Sequence, residues 1–168
     1  MKILILVLAL VASFHANSQQ FIATHDGDIT AIMAIGNPDI NSQLSLSING
    51  VQSSSYVSNK PGYDTITNFG YAHTGDVIVF NLTVLDTGYV WSTDTSLNVD
   101  GYIHYTYAEG QEMFMGFEAG YGYGDGSMDD NTAYFTNVSV MTPVPEPETY
   151  AMLLVGLMLL ACPLARRG

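Results

Sequence analysis

Between residues 19 and 142 the apolar positions come in short runs, and within each run they alternate with polar ones. Leu44, Leu46 and Ile48 alternate with glutamine and serine and stop at Asn49-Gly50, a dipeptide that favours a tight hairpin turn. Residues 51–57 then supply the returning strand. Val77 to Leu85 is rich in β-branched and large apolar residues and predicts a central strand. Residues 102–107 alternate tyrosine with Ile103, His104 and Thr106, residues 112–117 follow a Glu109-Gly110 turn, and Ala133 to Met141 is the last strand. Residues 21–24, 28–35 and 65–72 carry weaker versions of the same pattern. Sustained helical periodicity is absent. About eight short strands punctuated by Gly, Asn, Asp and Ser predict an all-β chain, folded as a single jelly-roll-like β-sandwich.

Both ends break this pattern. Lys2 precedes an unbroken apolar run, Ile3 to Ala12, too short to span a bilayer as a helix. Ala16 and Ser18 follow, at the −3 and −1 positions of a cleavage site before Gln19. Positive charge, apolar core and small residues in that order predict a signal peptide over residues 1–18. At the other end Val144-Pro145-Glu146-Pro147 precedes an apolar stretch from Tyr150 to Leu164 and then Arg166-Arg167. The two prolines cannot continue a helix or a strand ladder, so they separate residues 143–168 from the domain before them. The arginines hold the end of the apolar stretch on the cytoplasmic side. A signal helix and a hydrophobic C-terminal helix are thus expected outside the core of an acidic β domain spanning 19–142.

Charge sharpens the picture. The chain has 16 acidic and 4 basic residues. Lys2, Arg166 and Arg167 lie in the end segments, as do Glu146 and Glu148, which leaves 14 acidic residues against Lys60 alone in the domain. Nucleic-acid binding needs Lys and Arg to neutralise phosphates, so it is excluded as an expectation, and so is docking on an anionic membrane surface. The balance favours solubility and cation binding. The one cysteine, Cys162, lies in the apolar tail, so no disulfide staples the domain.

The C-terminal segment resembles the PEP-CTERM sorting signal in three features in fixed order: Val144-Pro145-Glu146-Pro147, a short apolar helix containing Gly156-Leu157, and a terminal arginine pair. The resemblance implies a bacterial chain exported through the inner membrane and held there transiently by its tail. An exosortase then acts near the Pro-Glu-Pro, and the protein passes to the cell surface or extracellular matrix.

Candidate chemistry concentrates in one loop. Asp125, Ser127 and Asp129 alternate within Asp125-Gly126-Ser127-Met128-Asp129-Asp130, after a stretch with glycine at 120, 122 and 124 and after Glu118. Oxygen side chains at such spacing converge on a hard cation, and a glycine-rich backbone lets carbonyls join them. No loop glycine follows Asp129 and no Glu occupies the twelfth position, so the loop is not an EF-hand. Asp94, Asn98 and Asp100 form a second oxygen-bearing cluster, which reads as a turn unless it lies beside the first. His25, His73 and His104 have no metal-ligand spacing, and no nucleophile elbow supports a Ser-His-Asp triad.

Residues 76–140 also resemble an exported β domain found in PEP-CTERM and other surface proteins. It is marked by a Gly-Phe-Glu-Asp turn, a glycine-rich loop and an Asp-x-Asp-aromatic-Asn-Asp run before the last strand. Gly116-Phe117-Glu118 and Asp125 to Asp130 match, whereas Ala119, Ser127 and Met128 depart from the pattern. The resemblance implies a Ca²⁺ role for Glu118, Asp125, Asp129 and Asp130 and brings no known activity.

The expectation is therefore a non-enzymatic, Ca²⁺-stabilised surface or matrix protein, processed by an exosortase and held in or near extracellular polysaccharide. A carbohydrate-binding module is the alternative, with Trp91, Tyr102, Tyr105 or Tyr107 exposed on one face. A polysaccharide hydrolase would instead require two carboxylates in a cleft, about 5–9.5 Å apart.

Overall fold

A computed structural model describes residues 19–60, 65–122 and 124–141. The signal segment, the sorting motif with its tail, residues 61–64, Tyr123 and Thr142 lie outside the described residues.

The described chain is an all-β sandwich of two antiparallel sheets. Twelve strands build it: β1 (Phe21–Ala23), β2 (Gly27–Gly36), β3 (Ser42–Ile48), β4 (Val51–Gln52), β5 (Val57–Ser58), β6 (Thr67–Ala72), β7 (Val77–Val84), β8 (Val90–Ser92), β9 (Tyr105–Ala108), β10 (Met113–Phe117), β11 (Asn131–Phe135) and β12 (Val138–Val140). One sheet runs β12-β1-β7-β3-β4, with β5 also on β3 and β8 also on β7; the other runs β6-β2-β11-β10-β9. The chain crosses repeatedly between the sheets, in a jelly-roll-like manner.

Alternation explains the core. Leu44 and Leu46 of β3 and Ile78, Phe80 and Leu82 of β7 point inward, fully buried. Opposite them Met113, Met115 and Phe117 of β10 and Ala133 and Phe135 of β11 do the same. Phe80 meets Phe21 edge-on at 5.4 Å and Phe135 at 4.7 Å, the arrangement the ring quadrupoles favour, worth about 1 kcal/mol per pair beyond burial. The spine is β3 on β7, in register from Ser42 opposite Val84 to Ile48 opposite Ile78.

Three expected strands differ in detail. The returning strand over 51–57 is split into β4 and β5, which pair with opposite ends of β3. The expected strand at 102–107 begins only at Tyr105: Tyr102 and Ile103 lie exposed outside any ladder, and His104 alone of this stretch turns inward. The expected last strand, 133–141, is two strands in different sheets. The corner is Asn137, with φ 60°, whose side-chain oxygen accepts from the Thr24 and His25 backbone N–H groups at 3.1 and 2.9 Å. Asparagine tolerates that left-handed conformation better than most residues.

Candidate functional site

The hairpin formed by β10 and β11 builds the site. Its register sets Phe117 opposite Asn131, so Glu118 and Asp130 are the first and last residues of the loop between them. The Asp130 N–H closes that loop on the Phe117 carbonyl at 3.0 Å. The loop then folds back over its own hairpin: a Cβ on Gly116 would run into the Met128 carbonyl, between the Thr106 and Thr132 methyls. Glycine at 116 is thus what lets the loop lie down on the strand.

Glu118 is trapped beneath it, 3 % exposed. One carboxyl oxygen accepts from the Gly120 N–H at 2.7 Å, and the other, Oε2, is buried without a hydrogen-bond partner among the described residues. Gly124 lies directly on this carboxyl, with φ 53°, and any Cβ there would fall inside it. Burial pushes the Glu118 pKa up to about 7; the Gly120 N–H opposes the rise, while the facing Asp130 and Asp125 carboxyls add to it. Asp130 is itself buried. It accepts from the Ala119 N–H at 2.8 Å and from the Asn37 amide at 2.9 Å. Asn59 secures Asn37 from behind, donating to its carbonyl at 2.9 Å.

The other candidates occupy different surroundings. Asp125 is exposed and accepts from the Ser127 N–H at 2.8 Å, a local turn. Ser127 is half-buried and Asp129 is exposed. The structure brings together Glu118 and Asp130, with Asp125 facing them. Among the described residues no three His, Cys, Asp or Glu side chains are gathered closely enough to hold a metal ion.

The second cluster does lie beside this loop, but its side chains serve internal contacts. Asp94 caps a short 3-10 turn, Thr95–Leu97, by accepting from the Ser96 N–H. Asn98 is buried and ties the Ser92 N–H to the Tyr102 carbonyl, at 2.7 and 2.8 Å. Asp100 reaches across: its Oδ2 accepts from the Gly122 N–H and from His104 Nε2, both at 2.8 Å. A carboxylate only accepts, so Nε2 carries the hydrogen, and buried Nδ1 has no partner among the described residues. Burial works to raise the Asp100 pKa, but the Tyr102 and Gly122 N–H groups and His104 together hold it below its ordinary value.

Trp91 completes this end of the sandwich. It is fully buried, stacks flat on His104 and donates from its indole nitrogen to the Ala119 carbonyl at 3.0 Å. Of the four rings proposed for a sugar platform, Trp91 and Tyr105 are thus in the core, while Tyr102 and Tyr107 are exposed.

His104 and Asn37 are the site residues that sequence reasoning missed. The four-residue spacing of Asp100 and His104 was a usable signal, since an inward turn brings such a pair together. Asn37 directly follows β2, the neighbour of β11 in the same sheet, where its N–H donates to the Asp130 carbonyl at 3.0 Å, and it carries no sequence signal.

Comparison with protein-family models, with curated proteins and with solved structures finds no match to this chain. Among the described residues no helix is long and apolar enough to cross a membrane; the apolar tail is not among them.

Proposed function

We propose that this chain is an exported, non-enzymatic surface or matrix protein whose β10–β11 loop is locked by Ca²⁺, with exosortase processing of the tail and residence in or near extracellular polysaccharide. The observation that carries the cation reading is Glu118 Oε2. It is a buried carboxyl oxygen with no donor among the described residues, facing a second buried carboxyl from Asp130. A buried polar atom without a partner costs about 1–3 kcal/mol, and a hard cation removes that cost.

The residues fit such an ion in kind. Glu118 and Asp130 would hold it, and carbonyls of the glycine-rich loop would complete an oxygen shell. The ion would supply charge neutralisation and rigidity only, and no reaction step is assigned to it. Export and sorting rest on the two end segments and their order of features.

Thermal melts of the exported chain in Ca²⁺ and then in EGTA test the reading. An upward shift of several degrees in Ca²⁺, absent with Mg²⁺, supports it. Superimposable melts reject it.

A further inference from the structure

A separate concavity lies on the solvent face of the β3–β7 sheet. Strand pairing sets Gln43 beside Thr83 and Ser45 beside Asn81, and alternation turns all four outward while Leu44, Leu46 and Leu82 turn in. These four form the floor. Gln52 and Tyr56 stand along one side, and Val90 along the other. The groove is open to solvent and holds about 480 Å³.

The side walls are held in place. Gln52 donates to the Leu46 carbonyl at 3.1 Å and its oxygen accepts from the Asn81 amide at 3.3 Å. Ser53 donates to the Phe69 carbonyl at 2.9 Å. Against this fixed frame, the Gln43 amide and the Tyr56 hydroxyl have no hydrogen-bond partner among the described residues. The groove therefore offers oriented amides and hydroxyls, plus one ring, 47 % exposed, with an apolar face.

None of the groove residues is charged, in a chain of formal charge −12. Amides and hydroxyls without charge match the alternating donors and acceptors of sugar hydroxyls, and a Tyr face suits the C–H side of a pyranose ring. An anionic polymer would find no cation here and would be repelled by the rest of the surface. We infer that this groove binds a stretch of neutral polysaccharide. The inference deepens the matrix reading, on which it rests for where glycan is met, and it needs no cation because the Glu118 loop is not part of the groove.

The test is affinity electrophoresis of the full chain through gels containing a soluble β-glucan, a mannan or a galactan, with alginate as the anionic probe and EGTA throughout. Retardation is expected in at least one neutral gel. Tyr56→Ala and Ser45→Arg should each weaken it roughly tenfold, with unchanged melting as the folding control. Tyr134→Ala, on the outer face of the other sheet, should leave it unchanged. Retardation by alginate alone, by no neutral gel, or equal in wild type and both groove variants overturns the assignment. Because EGTA is present, these outcomes are separate from the calcium melts that test the loop.

Discussion

The indole of Trp91 and the imidazole of His104 lie face to face, 3.9 Å between ring centroids and 9° from parallel. Both are fully buried, and each is tied at its far edge to the β10–β11 loop region: Trp91 to Ala119, and His104 through Asp100 to Gly122. This stack joins the 91–104 segment to the candidate cation loop.

Replacing His104 therefore does more than open a cavity. His104→Ala removes one face of the stack and leaves the Asp100 carboxylate buried without its imidazole donor. A loss of about 3–5 kcal/mol is expected, measured by urea unfolding. Trp91 is the only tryptophan, so its fluorescence follows the same transition directly. A loss below about 1 kcal/mol would mean that the pair is not a structural clasp.

The two buried carboxyls of this end respond to pH in opposite directions. The Glu118 value is raised from 4.5 to about 7, so the folded chain holds that proton more tightly than the unfolded one. Its stabilising effect is complete in acid below 4.5 and is lost as pH climbs through about 7. Asp100 is lowered from 3.8, so its contribution is present above that value and is lost as pH falls through the folded value. In EGTA, melting temperature should thus peak in mild acid and fall toward neutrality. Ca²⁺ should remove the fall by favouring ionised Glu118. Glu118→Gln should flatten the neutral side without calcium and abolish the calcium response. A calcium response that survives in the variant would place the ion elsewhere.

Gly124→Ala tests the lid over Glu118. The φ of 53° disfavours any side chain there, and the new methyl would collide with the Glu118 carboxyl. A loss of about 1–3 kcal/mol is expected, with a weakened calcium response, read from paired melts. An unaffected response would show that the loop need not close on Glu118.

The sorting proposal has its own measurement. Replacing Pro145, Glu146 and Pro147 by alanine in a cell that carries an exosortase should leave the chain at full tail length in the membrane fraction. The natural chain should appear shortened outside the inner membrane. Equal masses for both would remove the tail reading.

What could be read in advance follows the physics of each signal. Strands with one buried face announce themselves by alternation, which is why Leu44, Leu46 and Ile48, the 77–85 run and the Met113-Met115-Phe117 series locate β3, β7 and β10. The corner at Asn137 was hidden because apolar residues continue through it on both sides, and only a left-handed φ marks the change of sheet. In the candidate site, acidic residue types pointed to the loop. Their convergence depends on hairpin register, which joins Glu118 to Asp130 and leaves Asp129 in solvent. His104 looked isolated because its partners come from a turn, a strand in the other sheet and a loop.

The N-terminal and C-terminal strands of the domain are antiparallel neighbours, with Phe21 opposite Val140 and Ala23 opposite Val138. Residues 19 and 141 therefore emerge side by side, linked by the Gln19 side chain to the Met141 carbonyl at 3.2 Å. Mechanical load applied between these two ends acts across the ladder, not along it. Its hydrogen bonds are loaded one after another, as in a zipper, and never all at once. The three-residue β12 is the first element such a load would peel away, so a sandwich tugged between its two termini would yield at low force from that corner while its β3–β7 spine stays intact.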